Sequence, residues 1–164
     1  MPRPAQKPEL KHRNLPLLLL KARESMMVSR RPTLRSHGLS DQQWRVLRVL
    51  AEPAHFPGLE TGRLAREAHL LGPSLTGVLT RMERDGLVLR QRSEVDARRS
   101  VVSITEDGLA VAASLSVAIE SQYDELEARV GRPKLAQLYT LLDELIAVQQ
   151  TDHEEEISMT EDAA

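Results

Sequence analysis

The sequence lacks cysteine and is poor in aromatic residues. Without cysteine, disulfides, cysteine-ligated zinc and thiol catalysis are excluded, and the absence suits a reducing cytoplasm. Aromatic residues make up 2% of the 164 residues, so a core must be built mainly from Leu, Val, Ile, Ala and Met. The hydrophobic fraction of 41% is sufficient for one domain, with or without a helical extension. The aromatic residues are Trp44, Phe56, Tyr123 and Tyr139.

Long apolar runs are missing as well. The run over residues 15–20 is too short to span a bilayer and contains Pro16. Lys21, Arg23 and Glu24 follow at once, and no small-residue cleavage site separates them from the run. We therefore interpret it as the buried side of a helix rather than as a signal peptide, and we expect no membrane partner and a cytoplasmic protein.

Motifs for catalysis and for metal binding are absent from the sequence. There is no glycine-rich phosphate loop and no Gly-x-Ser-x-Gly elbow, so we expect neither an enzyme nor a cofactor. The histidines have no paired spacing typical of a metal site, although a metal-sensing regulator stays an alternative. These histidines are His12, His37, His55, His69 and His153. A protein-interaction module that uses the helices and the acidic tail is a further alternative.

Charge is distributed unevenly behind the formal net charge of −2. Residues 1–37 carry a net +7, residues 38–105 a net +2 and residues 106–164 a net −11. Net charge therefore does not indicate nucleic-acid binding, and only the local placement of cations can. The proline- and lysine-rich residues 1–13 predict a disordered basic arm, and the acidic residues 151–164 predict a disordered tail.

The pattern between these tails predicts six helices and one hairpin. The first helix covers 17–36 within a segment 14–37, with Leu20, Met27 and Leu34 setting its register and Pro32 as a kink or break. Gly38 ends it, and Ser40 with Gln43 forms a capping box for the second helix. The predicted helices are 17–36, 41–51, 61–70, 73–85, 106–130 and 134–150. The β-prone runs 87–92 and 100–104 flank a polar stretch and predict a β-hairpin.

This order predicts a mainly α fold with a small β-hairpin. Short helices joined by a tight turn and followed directly by a hairpin are typical of a winged helix-turn-helix. We assign residues 38–105 to this DNA-binding lobe, and residues 14–37 and 106–150 to dimerisation helices. The terminal helices carry apolar stripes that the small lobe cannot bury alone, which favours a dimer over packing within one chain. The C-terminal stripe consists of Leu126, Val130, Leu135, Leu138, Leu141, Leu142 and Leu145.

The helix over 73–85 is predicted to contact the DNA bases, and we call it the reading helix. Leu75, Val78, Leu79 and Met82 recur at helical spacing and should face the core. The opposite face is small near its start, rich in hydroxyls in its middle and cationic near its end, a pattern suited to phosphates and base edges. The predicted DNA-facing residues are Ser74, Thr76, Gly77, Thr80, Arg81 and Arg84. A solvated amphipathic helix is the alternative for this pattern alone.

The tip of the hairpin shifts the interpretation toward DNA binding. An exposed loop has little structural need for the two arginines Arg98 and Arg99. Asp96 can pair with one of them and fix the loop, which leaves the other to reach phosphate or a narrow minor groove.

Residues 39–105 resemble the MarR family of bacterial regulators. The resemblance is carried by LSDQQWRVLRVLAE, SLTGVLTRMERDGLV and DARRSVVSITEDG, and it covers about residues 15–150. Within the family, the sequence is most similar to regulators of homoprotocatechuate (4-hydroxyphenylacetate) degradation operons. The resemblance implies a homodimer on a palindromic double-stranded DNA operator, at the bacterial nucleoid, and repression relieved by a small ligand.

A pair on the second helix suggests where such a ligand binds. Trp44 and Arg48 are four residues apart, and an indole beside a guanidinium suits an aromatic carboxylate. The alternative is that Trp44 belongs to the hydrophobic core and that Arg48 pairs with an acidic residue on the surface. The resemblance implies a pocket that uses this Trp and Arg, with Tyr123 as the counterpart of a family tyrosine. Weaker candidates are His37, Arg23 and Asn14, the last from the partner chain. A phenylacetate, a benzoate or an aromatic acyl-CoA would all fit this chemistry.

Overall fold

The structure is a computed structural model that describes residues 11–92 and 99–161, with side chains described up to residue 148. The chain divides into two compact units, Met1–Ile119 and Glu120–Ala164. The boundary lies within a helix and not at the predicted end of the DNA-binding lobe, residue 105. The reason is that Ala112, Leu115 and Ile119 are buried and so extend the core of the first unit past the β-hairpin.

The elements follow the predicted order, with one added strand. The helices are α1 Leu15–Ser36, α2 Asp41–Leu50, α3 Thr61–Glu67, α4 Gly72–Arg84, α5 Glu106–Val130 and α6 Arg132–Glu161. The strands are β1 Leu59–Glu60, β2 Val88–Arg92 and β3 Ser100–Ile104. A short 3-10 turn, Pro53–His55, follows α2. Among the described residues, no helix is long and apolar enough to cross a bilayer.

Local signals set the ends of the first two helices. Asn14 caps α1, because its side-chain oxygen accepts a hydrogen bond from the Leu17 N–H at 3.0 Å. Gly38 has φ +71, a conformation that suits glycine, and it follows the end of α1. The Ser40–Gln43 capping box at the start of α2 is confirmed by reciprocal bonds of 2.9 and 3.2 Å.

The structure bears on two expectations for α1. Pro32 does not break the helix, which continues to Ser36 with Met27 and Leu34 buried on either side of the proline. Leu20, predicted to share their register, is 53% exposed within one chain. The N-terminal turns of α1 thus present apolar side chains to the surface.

The wing is a three-stranded antiparallel sheet of order β1-β3-β2 and not a bare hairpin. β2 pairs with β3 from Val88 opposite Ile104 to Arg92 opposite Ser100, and β1 adds Leu59 opposite Val102. The predicted hairpin strands are therefore confirmed, and the two-residue β1 is an addition. A two-residue strand is too short to show the alternation by which strands are recognised.

Two helix ends also differ from the prediction. α3 ends at Glu67 because the chain turns at His69, whose φ of +48 is incompatible with continued helix. α6 runs to Glu161, past the predicted end at Gln150 and into the segment predicted to be a disordered tail. No proline or glycine lies between Lys134 and Glu161 to stop it.

The core of the first unit packs α2, α3 and α4 against the sheet. Its fully buried side chains include Val46 and Leu47 of α2, Leu64 of α3 and Val102 of β3. The four residues predicted to anchor the reading helix, Leu75, Val78, Leu79 and Met82, are each 0% exposed. α4 is consequently fixed with one face inward and the opposite face outward.

Candidate DNA and effector sites

The outward face of α4 carries the residues predicted to contact DNA. Ser74, Thr76, Thr80, Arg81 and Arg84 are exposed, and Gly77 is half-buried. All six lie on the side opposite the buried stripe, as the helical period requires. The face is therefore accessible along its whole length.

The two threonine hydroxyls of this face are bonded to the helix itself. Thr76 donates to the carbonyl of Gly72 at 3.2 Å, and Thr80 donates to the carbonyl of Thr76 at 3.0 Å. Each hydroxyl oxygen keeps its acceptor sites, and either proton can be redirected to a phosphate. Both side chains are thus held in defined rotamers while they remain able to bind.

The two arginines of α4 differ in their partners. Within the described part of the chain, Arg81 makes no ion pair, and its guanidinium lies back over Gly77, where an added Cβ would be 3.7 Å away. Arg84 pairs with Asp85, Nε to Oδ1 at 2.9 Å. That hydrogen bond raises the pKa of Arg84 above its ordinary value. Arg81 is therefore the arginine of this helix that can reach DNA without first leaving a carboxylate.

Ion pairs from neighbouring elements brace the wing. Arg99 donates from Nη1 to both carboxylate oxygens of Glu60 on β1, at 3.0 and 3.2 Å. Arg90 of β2 pairs with Glu83 of α4 at 2.9 Å. Asp96 and Arg98 lie outside the described residues, so the predicted Asp96 pairing stays a prediction. Among the described residues, Glu60 is a carboxylate partner of Arg99.

The effector candidates on α2 occupy different environments. Trp44 is 5% exposed, whereas Arg48, one turn further on, is exposed and makes no ion pair in the part of the chain that the structure describes. The indole therefore belongs to the core and the guanidinium to the surface. Neither observation tests ligand binding, so the predicted pair stays a prediction.

The weaker effector candidates already have structural partners. Asn14 caps α1, and Arg23 donates to Asp41 at 2.6 Å and to Glu24 at 2.8 Å. His37 lies 2.9 Å from the carbonyl of Thr33 and 3.3 Å from the hydroxyl of Ser114. Tyr123 is half-buried on the part of α5 that belongs to the second unit.

Sequence reasoning missed two charged residues of α2. Asp41 accepts from Arg23 of α1, and Arg45 donates to the carbonyls of Ala68 and His69 in the turn before α4. Nothing in the spacing of Arg45 and Ala68 signals this contact, because the two are distant in sequence. Among the described residues, no group of three His, Cys, Asp or Glu side chains could hold a metal ion.

The fold and the outward face of α4 define a winged-helix DNA-binding protein. The sequence profile of the MarR family matches residues 37–99. The chain is also 43% identical to the homoprotocatechuate degradative operon repressor of Escherichia coli, over 88% of this chain and 95% of that protein. The chain therefore belongs to the MarR family of transcriptional regulators.

Two further relatives are similar over almost the same share of this chain. The HTH-type transcriptional regulator FarR of Neisseria gonorrhoeae is 38% identical over 85% of this chain and 93% of its own. The crystal structure of NadR in complex with 4-hydroxyphenylacetate matches with a TM-score of 0.75 and 38% identity, covering 85% of this chain and 97% of that one. The similarity thus spans the terminal helices as well as the winged lobe.

Proposed function

We propose that this protein is a dimeric repressor that binds a palindromic DNA operator and is released by a small phenolic carboxylate. The outward face of α4 beside a braced wing is the observation that carries the proposal. The relationship to a homoprotocatechuate degradative operon repressor supports both the repression and the aromatic catabolic operon. The proposed role is binding at the nucleoid of a bacterial cytoplasm, without catalysis.

The DNA interface in this proposal combines α4 with the wing. The small residues Ser74 and Gly77 let the helix approach the major groove, and Thr76 and Thr80 offer hydroxyls to phosphates or base edges. The cationic contacts come from Arg81 and Arg84 on the helix and from the wing. The proposed wing residues are Asp96, Arg98 and Arg99.

The terminal helices form the dimer in this proposal. Leu15, Leu17, Leu19 and Leu20 are exposed at the start of α1, and Leu138, Leu141 and Ile146 are exposed on α6. Several exposed large apolar side chains on one helix often mark an interface. A two-fold dimer places two copies of α4 in successive major grooves, about 34 Å apart, which requires an operator of matching symmetry.

The effector in this proposal is 4-hydroxyphenylacetate or a close analogue. NadR supports that choice, because its structure contains this ligand and the two chains are 38% identical. The exposed Arg48 would pair with the carboxylate, and the ring would meet the small part of Trp44 that reaches the surface. Since Trp44 is 5% exposed, Arg48 is expected to contribute the larger share of the affinity. Arg23, His37, Asn14 and Tyr123 are the further proposed contacts.

A gel shift with the protein's own promoter region, at physiological salt, tests the proposal. We expect retardation that 4-hydroxyphenylacetate abolishes and that an uncharged amide analogue does not. The absence of a shift would overturn the DNA-binding function, and release by an aromatic acyl-CoA alone would replace the proposed effector.

Arg48→Ala tests the effector site separately. The variant should bind the operator normally but need roughly tenfold more 4-hydroxyphenylacetate for release, because an exposed charge-assisted pair is lost. Arg35→Ala is the matched control, since Arg35 is also exposed and lies in the last turn of α1. Unchanged release in the Arg48 variant would show that the effector binds elsewhere.

A further inference from the structure

An arginine of α2 binds the turn that leads into the reading helix. Arg45 Nη1 lies 2.9 Å from the carbonyl oxygen of Ala68 and 2.9 Å from that of His69. The last carbonyls of a helix have no partner within it, and a cation at this end is favourable. His69 adopts φ +48, which a non-glycine residue seldom does without support from its surroundings. Arg45 therefore fixes the turn from which α4 starts.

The same arginine is connected to α1 through one carboxylate oxygen. Asp41 Oδ2 lies 3.5 Å from Arg45 Nε and accepts from Arg23 Nη2 at 2.6 Å. The side chains of Arg45 and Asp41 are 33% and 26% exposed, so solvent only partly screens this pair. A series of polar contacts thus runs from α1 through α2 to the α3–α4 turn, in which the Asp41–Arg45 link is an ion pair without a hydrogen bond at Nε.

Helix α2 also carries both main residues of the proposed effector site. Trp44 directly precedes Arg45, and Arg48 follows less than one turn later. Any displacement of α2 that a ligand causes at Trp44 and Arg48 must move Arg45 as well, because a helix shifts as a unit. The carbonyls that Arg45 holds belong to a different helix and turn, so their distance to the guanidinium would change.

We propose that Arg45 is a positioning residue that couples effector binding to DNA release. Its bonds to Ala68 and His69 hold α4 in the orientation that reads the operator, and effector binding at α2 weakens them. This inference rests on the proposed function, since it needs both an operator and an aromatic carboxylate effector. Coupling of this kind is the ratio of DNA dissociation constants with and without saturating effector.

The test compares that ratio in Arg45→Met, Arg45→Lys and the wild type, using fluorescence anisotropy with an operator duplex and 4-hydroxyphenylacetate. Calorimetry without DNA measures the effector affinity of each protein. We expect the ratio in Arg45→Met to fall about fivefold or more, while effector affinity stays within about twofold of the wild type. Arg45→Lys keeps the charge but presents one compact donor group, so its ratio should lie between the two.

Arg63→Met is the matched control, because Arg63 lies on α3 and its ion pair among the described residues is with Glu67, one turn away on the same helix. It should keep the wild-type ratio. If Arg45→Met binds DNA more weakly but keeps the wild-type ratio, Arg45 is merely structural and the inference is overturned. Should Arg45→Met fail to fold, the same criterion applies to Arg45→Lys. A wild-type protein that 4-hydroxyphenylacetate does not release would overturn the proposed function itself, a result visible without any variant.

Discussion

Gly108 lies where α5 packs tightly against Leu87, the residue before β2. A Cβ added there would lie 2.2 Å from the carbonyl oxygen of Leu87 and 2.8 Å from Cγ1 of Ile104. The oxygen cannot rotate away, because it belongs to the backbone and accepts a hydrogen bond from the Thr105 N–H at 3.1 Å. Thr105 in turn caps α5 by accepting from the Gly108 N–H at 3.0 Å. Gly108→Ala must therefore push α5 and the wing apart.

The expected cost follows from three contributions. Overpacking of this kind costs about 1–3 kcal/mol, and the strained Thr105–Leu87 hydrogen bond adds about 1 kcal/mol. Alanine in place of a helical glycine returns roughly 0.5–1 kcal/mol. The free energy of unfolding should thus fall by about 2 kcal/mol, which corresponds to a decrease in Tm of roughly 4–8 °C.

Urea unfolding followed by circular dichroism measures this change. The protein concentration must be the same for every variant, because dimerisation makes apparent stability depend on it. Gly62→Ala in α3 is the matched control, since its added Cβ would meet only the flexible end of Arg66 at 3.9 Å. That variant should be unchanged or slightly more stable. Equal stability of Gly108→Ala and the wild type would refute the packing argument.

Two further predictions concern the DNA face. Arg81→Ala should weaken operator binding about tenfold and reduce the slope of log affinity against log salt by about one. Arg84→Ala should have a smaller effect, because Arg84 must first leave Asp85 to reach DNA. Fluorescence anisotropy over a salt series measures both, and an equal or larger effect of Arg84→Ala would contradict this ranking. Glu60→Gln should tighten binding to non-operator DNA by roughly threefold, because it removes a negative charge beside Arg99 and replaces their ion pair with a weaker neutral contact. Glu67→Gln is its control, and equal affinities for Glu60→Gln and the wild type would contradict the bracing role.

Features that depend on neighbouring residues could be predicted from the sequence. The capping box at Ser40 and the buried stripe of α4 follow from side-chain chemistry within a few residues. The hairpin strands follow from their β-branched composition and from the polar stretch between them. The capping role of Asn14 was missed, although an asparagine two residues before Pro16 is a typical helix start.

Features that join distant segments could not be predicted in this way. β1 is defined by its pairing with β3, and the Glu60–Arg99 pair exists only because these strands are neighbours. The Arg45 contacts depend likewise on the placement of α2 against the end of α3. The exposure of Leu20 shows a second limit of prediction from the sequence. An apolar residue at helical spacing does not reveal whether its own chain or a second copy covers it.

The carboxylates that pair with several arginines affect how strongly this chain, of net charge −2, would bind DNA. Arg84, Arg90 and Arg99 are held by Asp85, Glu83 and Glu60 respectively, and each of these pairs is at least partly exposed. Exposed pairs contribute about 0–1 kcal/mol each, so phosphates can replace the carboxylates at a modest cost. That cost applies to every DNA sequence alike, whereas contacts to base edges are gained only at the operator. Carboxylate partners near the reading helix would therefore lower the affinity for operator and non-operator DNA alike, which leaves discrimination to the base contacts, and Arg81 would retain an attraction that needs no exchange.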